Sequence, residues 1–242
     1  MKRAERHHLK QDEFVQGIER TTDWVAENQR RIVNAVLVVL GVTLLLGGLY
    51  IYRSRRSAQA QARLTEALEI YHRDVRSSDG AAPSGEAPTF ANAEEKYRAA
   101  LEAFEGVADE FSGYEAGRQA RYYVGVCHAG LKDYERAEGA LAGLGSGSRD
   151  LLYYLGTQAL AAVKAEREDY AGAADILRSL LEDDASPLPK DYVLFELAKT
   201  EEKAGNLDQA RLYYERMVSE HPDSQLRGDA MNRRDALEFV AS

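Results

Sequence analysis

Four alanines recur at nearly constant intervals through the long C-terminal part of this chain. Ala100, Ala137, Ala173 and Ala210 are separated by 37, 36 and 37 residues, and a large apolar residue follows each by four positions. Self-similarity at this length is typical of solenoids built from pairs of antiparallel helices. Neither helix of a pair can bury its apolar stripe alone, so the pairs must stack. The spacing therefore predicts an all-α fold, an α-solenoid of helix pairs.

The residue types at fixed positions of the repeat agree with this packing. Where the two helices of a pair cross, one of them needs a small residue for close backbone approach, and Gly125, Ala161 and Ala198 stand at that position. Gly205 occupies the tight turn within the last pair, a place that favours glycine. Pro222 cannot continue a helix, so we expect it to end the last pair.

The last pair resembles the tetratricopeptide repeat. The resemblance rests on seven residues, namely Leu194, Leu197, Ala198, Gly205, Ala210, Tyr214 and Pro222. Glu201 departs from the family pattern, which prefers Tyr at that position. Because the intervals of 36 and 37 residues exceed the family period of about 34, we expect somewhat longer connecting turns.

Residues 53–242 are therefore predicted to form one tetratricopeptide-repeat-like domain. Its parts are a first unit at 57–112, three further units at about 114–148, 150–188 and 190–223, and a capping helix at 224–240. The first unit is split by residues 77–90, a Gly-, Pro- and Ser-containing stretch that we predict to be a flexible loop. The capping helix is expected because the last unit of a solenoid otherwise exposes an apolar face.

An uncharged run of 21 residues, Ile32 to Tyr52, precedes the repeats. As a helix it would be about 31 Å long, close to the ~30 Å hydrocarbon core of a bilayer. Arginines close both ends, and Tyr50 and Tyr52 stand where an interfacial aromatic belt belongs. We therefore predict a single transmembrane helix at 32–52. Two alternatives are a buried helix of a soluble core and a signal peptide cleaved near residues 58–60.

Residues 1–31 form a charged N-terminal tail before this run. Phe14, Ile18, Val25 and Ile32 are spaced by 4, 7 and 7 residues, so they share one face of a helix. We predict an amphipathic helix that lies on the membrane or docks a partner.

The order of tail, anchor, basic stretch and repeat array resembles the ancillary SecYEG translocon subunit family of bacterial inner membranes, whose repeat domain is shared with a cell-division coordinator. The tail segment FVQGIERTTDWVAENQRR is similar to the amphipathic segment of that family. The resemblance implies a single-pass protein of the bacterial inner (plasma) membrane, with a cytoplasmic N-terminus and a periplasmic repeat domain. The basic residues alone leave the orientation open, because three lie close before the run and four close after it.

The sequence offers no pattern typical of an enzyme. It has no Gly-rich phosphate loop, no HExxH motif and no serine nucleophile elbow, and we predict no cofactor and no metal site. Its net charge of −9 argues against a general nucleic-acid binder. Cys127, the single cysteine, excludes an intramolecular disulfide and is interpreted as a small buried side chain. The acid pair Glu201-Glu202 is interpreted as part of a solvated face.

Protein binding is the remaining class of function. In a tetratricopeptide array the first helices of the pairs line the concave side, and nine candidate binding residues follow from the register: Gln119, Tyr122, Val126, Leu155, Gln158, Tyr192, Phe195, Lys199 and Glu202. The aromatic and aliphatic members favour an extended peptide or a partner helix as ligand. The alternative is that Tyr122, Leu155 and Phe195 pack inside the superhelix.

We therefore expect a membrane-anchored protein–protein interaction module. The resemblance implies that it binds chaperones or translocating polypeptides beside the Sec translocon, or that it scaffolds an envelope complex. One alternative is an assembly factor for outer-membrane, cytochrome or division complexes. Another, of a different class, is a structural membrane protein that associates with itself.

Overall fold

The computed structural model describes residues 3–75, 90–145 and 148–240, and their side chains except those of residues 3–27, 32, 239 and 240. It divides into two compact units, Met1–Arg56 and Ser57–Ser242. The predicted flexible loop lies, apart from Phe90, outside the described residues. The two described ends of that segment meet, because the Phe90 amide donates to the Asp74 carbonyl at 3.0 Å.

All regular structure in the described ranges is helical, apart from an isolated bridge between Val75 and Phe90. The helices are α1 (Arg3–His72), α2 (Ala93–Glu110), α3 (Glu115–Gly130), α4 (Tyr134–Ala142), α5 (Leu151–Glu166), α6 (Tyr170–Glu182), α7 (Lys190–Lys203), α8 (Leu207–Glu220) and α9 (Arg227–Val240). From α2 onward each helix packs against the next along the chain. The all-α class and the chain of packed helix pairs are confirmed.

The repeating alanines lie at the centres of these contacts. Ala100, Ala137, Ala173 and Ala210 all have an exposed fraction of 0%. The large residues four positions later, Phe104, Leu141, Leu177 and Tyr214, are also buried. Residues four apart share one helix face, so each second helix of a pair buries an Ala-plus-large stripe against its neighbours. We call α3, α5 and α7 the A helices, and α4, α6 and α8 the B helices.

Close approach at the helix crossings explains the small residues of the A helices. Ala161 and Ala198 are buried, and a Cβ added to Gly125 would lie only 2.6 Å from Cγ of Leu141. Ordinary carbon–carbon contacts are about 3.5–4.0 Å. The predicted need for a small residue at this position is therefore confirmed.

The turns between A and B helices share one backbone conformation but not one residue type. Gly205 has a φ of +80°, and the equivalent residues of the two preceding turns, Lys132 and Glu168, have φ values of 61° and 65°. This left-handed region suits glycine and costs other residues about 1–2 kcal/mol. Two of the three turns thus hold the required geometry with an unfavourable residue.

Side-chain caps then start two of the B helices. Asp133 accepts from the Arg136 amide at 3.4 Å, and Asp169 accepts from the Gly172 amide at 3.0 Å. A carboxylate at this position satisfies amides that have no partner within the helix.

Glu201 contradicts its interpretation as part of a solvated face. Glu201 is only 5% exposed. Its carboxylate accepts a hydrogen bond from Nδ2 of Asn206 at 2.8 Å and lies 3.5 Å from Nη2 of Arg178. A buried carboxylate needs such partners to offset its lost hydration. Glu201, which stands where the repeat family prefers Tyr, therefore joins the α7–α8 turn to α6.

The last helix closes the end of the repeat array. Ala230 and Leu237 of α9 have exposed fractions of 0% and 7% and belong to the cluster that also holds Ala210 and Tyr214. Before α9 begins, Ser224 donates to Asp191 at 2.6 Å and accepts from the Leu226 amide. This bend turns the chain back over the last pair.

The compact unit Met1–Arg56 consists of the N-terminal part of α1. The stretch Gln29–His72 is long and apolar enough, by length and composition, to cross a membrane, and none of its most apolar window is buried. The large apolar side chains from Val33 to Tyr52 that the structure describes are exposed. Such exposure argues against the alternative of a soluble-core helix. The backbone of residues 3–27 is helical, while the predicted apolar face of that tail lies outside the side chains that the structure describes.

Candidate functional site

The nine candidate residues lie on the three A helices. α3 carries Gln119, Tyr122 and Val126, α5 carries Leu155 and Gln158, and α7 carries Tyr192, Phe195, Lys199 and Glu202. Eight of them are half-buried, and Phe195 is buried with an exposed fraction of 8%. Half-burial leaves part of each side chain accessible while its neighbours hold it in place. We call this set the A-helix face.

One hydrogen bond joins two members of the face across helices. Nε2 of Gln158 on α5 donates to Oη of Tyr192 on α7 at 2.9 Å. Burial raises the pKa of the Tyr192 phenol, and the nearby Glu196 and Tyr122 raise it further. The phenol therefore stays neutral over the physiological range and keeps its own proton available to donate. The Gln158 carbonyl oxygen and the Tyr192 hydroxyl offer hydrogen bonds of the kind that a peptide backbone makes.

Tyr122 continues this row on α3. Its ring lies edge-on to Tyr123, with 5.2 Å between the ring centroids, and it packs against the cluster around Leu141 and Val163. Burial raises the pKa of its phenol as well. Tyr122 is therefore anchored on one side and half-exposed on the other.

Aromatic residues outside the predicted set support Tyr122 from behind. Tyr123 stacks on Phe104, with ring centroids 4.8 Å apart and nearly parallel planes, and meets Tyr71 edge-on at 5.4 Å. Burial raises the pKa of Tyr71 to about 12. The adjacent tyrosines at 122 and 123 were a visible signal in the sequence, but Tyr71 comes from α1 and could not be placed beside them without the fold.

Phe195 and Glu202 have partners inside the protein. The Phe195 ring meets Tyr214 of α8 edge-on at 5.8 Å, and Nζ of Lys199 lies 5.7 Å from the Phe195 centroid. Oε2 of Glu202 accepts from Oη of Tyr214 at 2.8 Å and from Nη1 of Arg233 on α9 at 3.0 Å. Phe195 thus packs inside, as the alternative interpretation expected, and Glu202 ties the last pair to its cap.

Charged contacts brace the two ends of the face. Nη1 and Nη2 of Arg118 donate to the two carboxylate oxygens of Asp150 at 2.7 and 3.1 Å, which fixes the start of α5 against α3. These hydrogen bonds, with a further one from Ser148, hold the pKa of Asp150 well below its usual range. At the other end Lys203 pairs with Glu166 at 3.2 Å. The spacing of the A helices is therefore held by ion pairs as well as by the core.

Cys127 and His128 lie behind the face rather than on it. Cys127 has an exposed fraction of 0%, as predicted, and burial raises the pKa of its thiol to about 12. His128 is buried between Glu105 and Asp133, with nitrogen–oxygen distances of 3.8 and 3.7 Å. A buried thiol with a raised pKa is a poor nucleophile. Among the described residues, no group of three or more His, Cys, Asp or Glu side chains could hold a metal ion.

Comparison with known proteins assigns two segments of the chain. Residues 90–148, which hold α2, α3 and α4, match a tetratricopeptide repeat family model, and residues 192–224, which hold most of α7 and all of α8, match another. No curated protein matches the chain significantly. Proteins with these repeats generally act as non-enzymatic interaction modules, because stacked pairs create an extended binding surface. The two matched segments of the Ser57–Ser242 unit are therefore tetratricopeptide repeats, and the class of function that such repeats indicate is protein–protein interaction.

Proposed function

We propose that the chain is a membrane-anchored interaction module whose A-helix face binds an extended polypeptide segment or a partner helix. The observation that carries this proposal is the row Tyr122, Gln158 and Tyr192, which spans three A helices. Each side chain is half-buried, so it combines a fixed position with an accessible polar edge. Aromatic rings supply contact area at low entropic cost, and hydroxyl and amide groups can bond to a peptide backbone.

The proposed partners are chaperones or translocating polypeptides beside the Sec translocon, or the components of an envelope complex. The order of tail, apolar run and repeats supports this proposal, as does the tail segment that is similar to the Sec-associated family. In this proposal residues 32–52 cross the bacterial inner membrane, the N-terminus is cytoplasmic and the repeats are periplasmic. Tethering raises the local concentration of the face near the membrane, so weak contacts suffice.

Site-specific photo-crosslinking in intact cells tests the binding face. A photoreactive residue replaces Gln158 on the A-helix face, and in the control it replaces Gln209, an exposed glutamine on α8. We expect adducts with translocon subunits, chaperones or nascent polypeptides from position 158 and far fewer from position 209. Equal adducts from both positions would refute a specific A-helix face. Adducts only with a second copy of the chain would favour the self-associating alternative.

A reporter fusion tests the topology independently. A periplasm-dependent reporter placed after Ser242 should be active, and a cytosol-dependent reporter at the same place should be silent. The reverse pair of results would reject the proposed orientation while leaving the binding face untouched. Alkaline extraction of membranes tests the anchor, because a chain that is released from membranes at high pH is not an integral membrane protein.

A further inference from the structure

Three arginines follow the apolar run within one helical turn. Arg53, Arg55 and Arg56 come directly after Tyr52 in α1, and all four belong to the first compact unit. At ~1.5 Å of rise per residue, the three arginine backbones lie within about 4.5 Å of one another along the helix axis. Arg53 and Arg56 share one side of the helix, and Arg55 lies on the opposite side. We call these three residues the arginine ring.

The sequence provides no acidic residue near the ring. The nearest carboxylates along the chain are Glu27 and Glu66, on either side of a stretch of 38 residues without Asp or Glu. Arg53 and Arg55 are exposed, and in the part of the chain that the structure describes neither pairs with a carboxylate. Glu66 pairs with Arg63 instead, at 3.4 Å.

The other end of the run differs in this respect. Arg30 and Arg31 follow Glu27 by three and four residues, the spacing at which opposite charges meet on a helix. Arg31 also donates to Oδ1 of Asn28 at 3.4 Å. The two ends thus carry similar numbers of arginines, but only the Arg53 end has no acidic residue within one or two turns.

A bilayer supplies counter-charge to Arg53 and Arg55 at this height. Tyr50 and Tyr52, with exposed fractions of 75% and 64%, mark the level of an interface, and the ring stands at most one turn beyond it. Guanidinium groups bind phosphate oxygens through paired hydrogen bonds. A basic residue close to an anionic leaflet is attracted to it electrostatically. Charges on opposite sides of the helix engage several headgroups rather than one.

We propose that Arg53, Arg55 and Arg56 form a binding site for the headgroups of anionic phospholipids. This inference rests on the proposed membrane anchor, because only a chain inserted at residues 32–52 places the ring at headgroup level. The site makes lipid composition a determinant of how firmly the anchor is held at that leaflet.

Spin-label electron paramagnetic resonance tests the site on the full chain. The protein is reconstituted in phosphatidylcholine bilayers with a trace of spin-labelled phosphatidylglycerol or spin-labelled phosphatidylcholine, and the spectra give the relative association of the two lipids with the protein. The test variant replaces the three arginines with glutamine, and the matched control carries Arg30→Gln and Arg31→Gln. A lysine variant of the ring retains charge but loses the paired geometry.

We expect wild type to prefer phosphatidylglycerol and the glutamine variant to lose roughly threefold of that preference; the loss is modest because the signal averages over all lipids around the helix. The control should lose clearly less, and the lysine variant should fall between wild type and the glutamine variant. Raising the salt concentration should reduce the wild-type preference, since surface charges are screened. A ring variant with wild-type preference overturns the site, as does a preference that inorganic phosphate abolishes at constant ionic strength.

The same spectra separate failure of the site from failure of the anchor. A chain that spans the bilayer produces a motionally restricted lipid component whatever the headgroup. Absence of that component in wild type would refute the anchor itself. Its presence without selectivity would refute only the arginine ring.

Discussion

Replacing Gly125 with alanine tests how closely α3 and α4 approach each other. The added Cβ would lie 2.6 Å from Cγ and 2.7 Å from Cδ2 of Leu141, and 3.4 Å from the carbonyl oxygen of Ala137. Restoring ordinary contact requires a shift of about 1 Å. Leu141 is only 2% exposed, so it has little free space into which it could move.

Two opposing effects set the size of the change. Overpacking of a core costs about 1–3 kcal/mol. Within a helix, alanine stabilises the folded state by about 0.5–1 kcal/mol relative to glycine. We therefore expect Gly125→Ala to lower the free energy of unfolding by about 0.5–2 kcal/mol.

Gly106 provides a matched control in α2. It also lies inside a helix, but nothing lies within 4 Å of its added Cβ. Gly106→Ala should therefore raise the free energy of unfolding by the propensity gain alone, about 0.5–1 kcal/mol. The two variants should differ by about 1–3 kcal/mol, the overpacking cost at the crossing.

Urea unfolding of the full chain in mild detergent, followed by circular dichroism, measures this difference. In thermal unfolding 1 kcal/mol corresponds to about 2–4 °C for a unit of this size. Combining Gly125→Ala with Leu141→Ala should cost less than the sum of the two single changes, since the second removes the obstructing atoms. Equal stabilisation by both glycine variants would refute the close crossing of α3 and α4.

Three further changes test separate features of the fold. Lys132→Gly should stabilise by about 0.5–1 kcal/mol, because glycine relieves the left-handed conformation at that turn; a lower urea midpoint would contradict this. Tyr214→Phe should lower the free energy of unfolding by about 1–2 kcal/mol through the lost hydrogen bond to Glu202; an unchanged urea midpoint would show that the bond is not formed. Arg118 lowers the pKa of Asp150, so the pair stabilises the fold above the ordinary aspartate pKa of about 3.9 and loses that contribution as the pH falls below it. In Arg118→Gln the free energy of unfolding should therefore fall less steeply as the pH is lowered. An unchanged dependence on acid pH would show that the pair does not contribute to stability.

Much of the helix packing follows from local regularities of the sequence. The Ala-plus-large pattern recurs because α2 and every B helix pack against their neighbours in the same way, and the same packing geometry requires similar residues. For this reason the spacing of Ala100, Ala137, Ala173 and Ala210 identified fully buried positions without any coordinates. The small residues at the A-helix crossings were predictable for the same reason, since only backbone approach and side-chain volume enter that argument.

Contacts between side chains on different helices were not predictable in this way. Glu201 looked like half of a solvated acid pair, yet Arg178 and Asn206 from two other segments make its burial tolerable. Gln158 and Tyr192 are 34 residues apart, and neither residue type predicts that the two side chains form a hydrogen bond. The position of Phe195 left open whether its ring lies on the concave face or packs inside, and its contact with the ring of Tyr214 in α8 shows that it packs inside.

The sequence by itself determined the class of the fold, the register of the repeats and the presence of a run long enough to cross a bilayer, because periodicity and length are properties of short stretches of chain. Only the tertiary structure decided which polar side chains are buried, which turn residues adopt the left-handed conformation and which half-buried groups stand together on the A helices. Those outcomes depend on pairs of residues brought together by stacking. The energy of a pair depends on the distance and desolvation of both partners, and one residue's place in the sequence specifies neither.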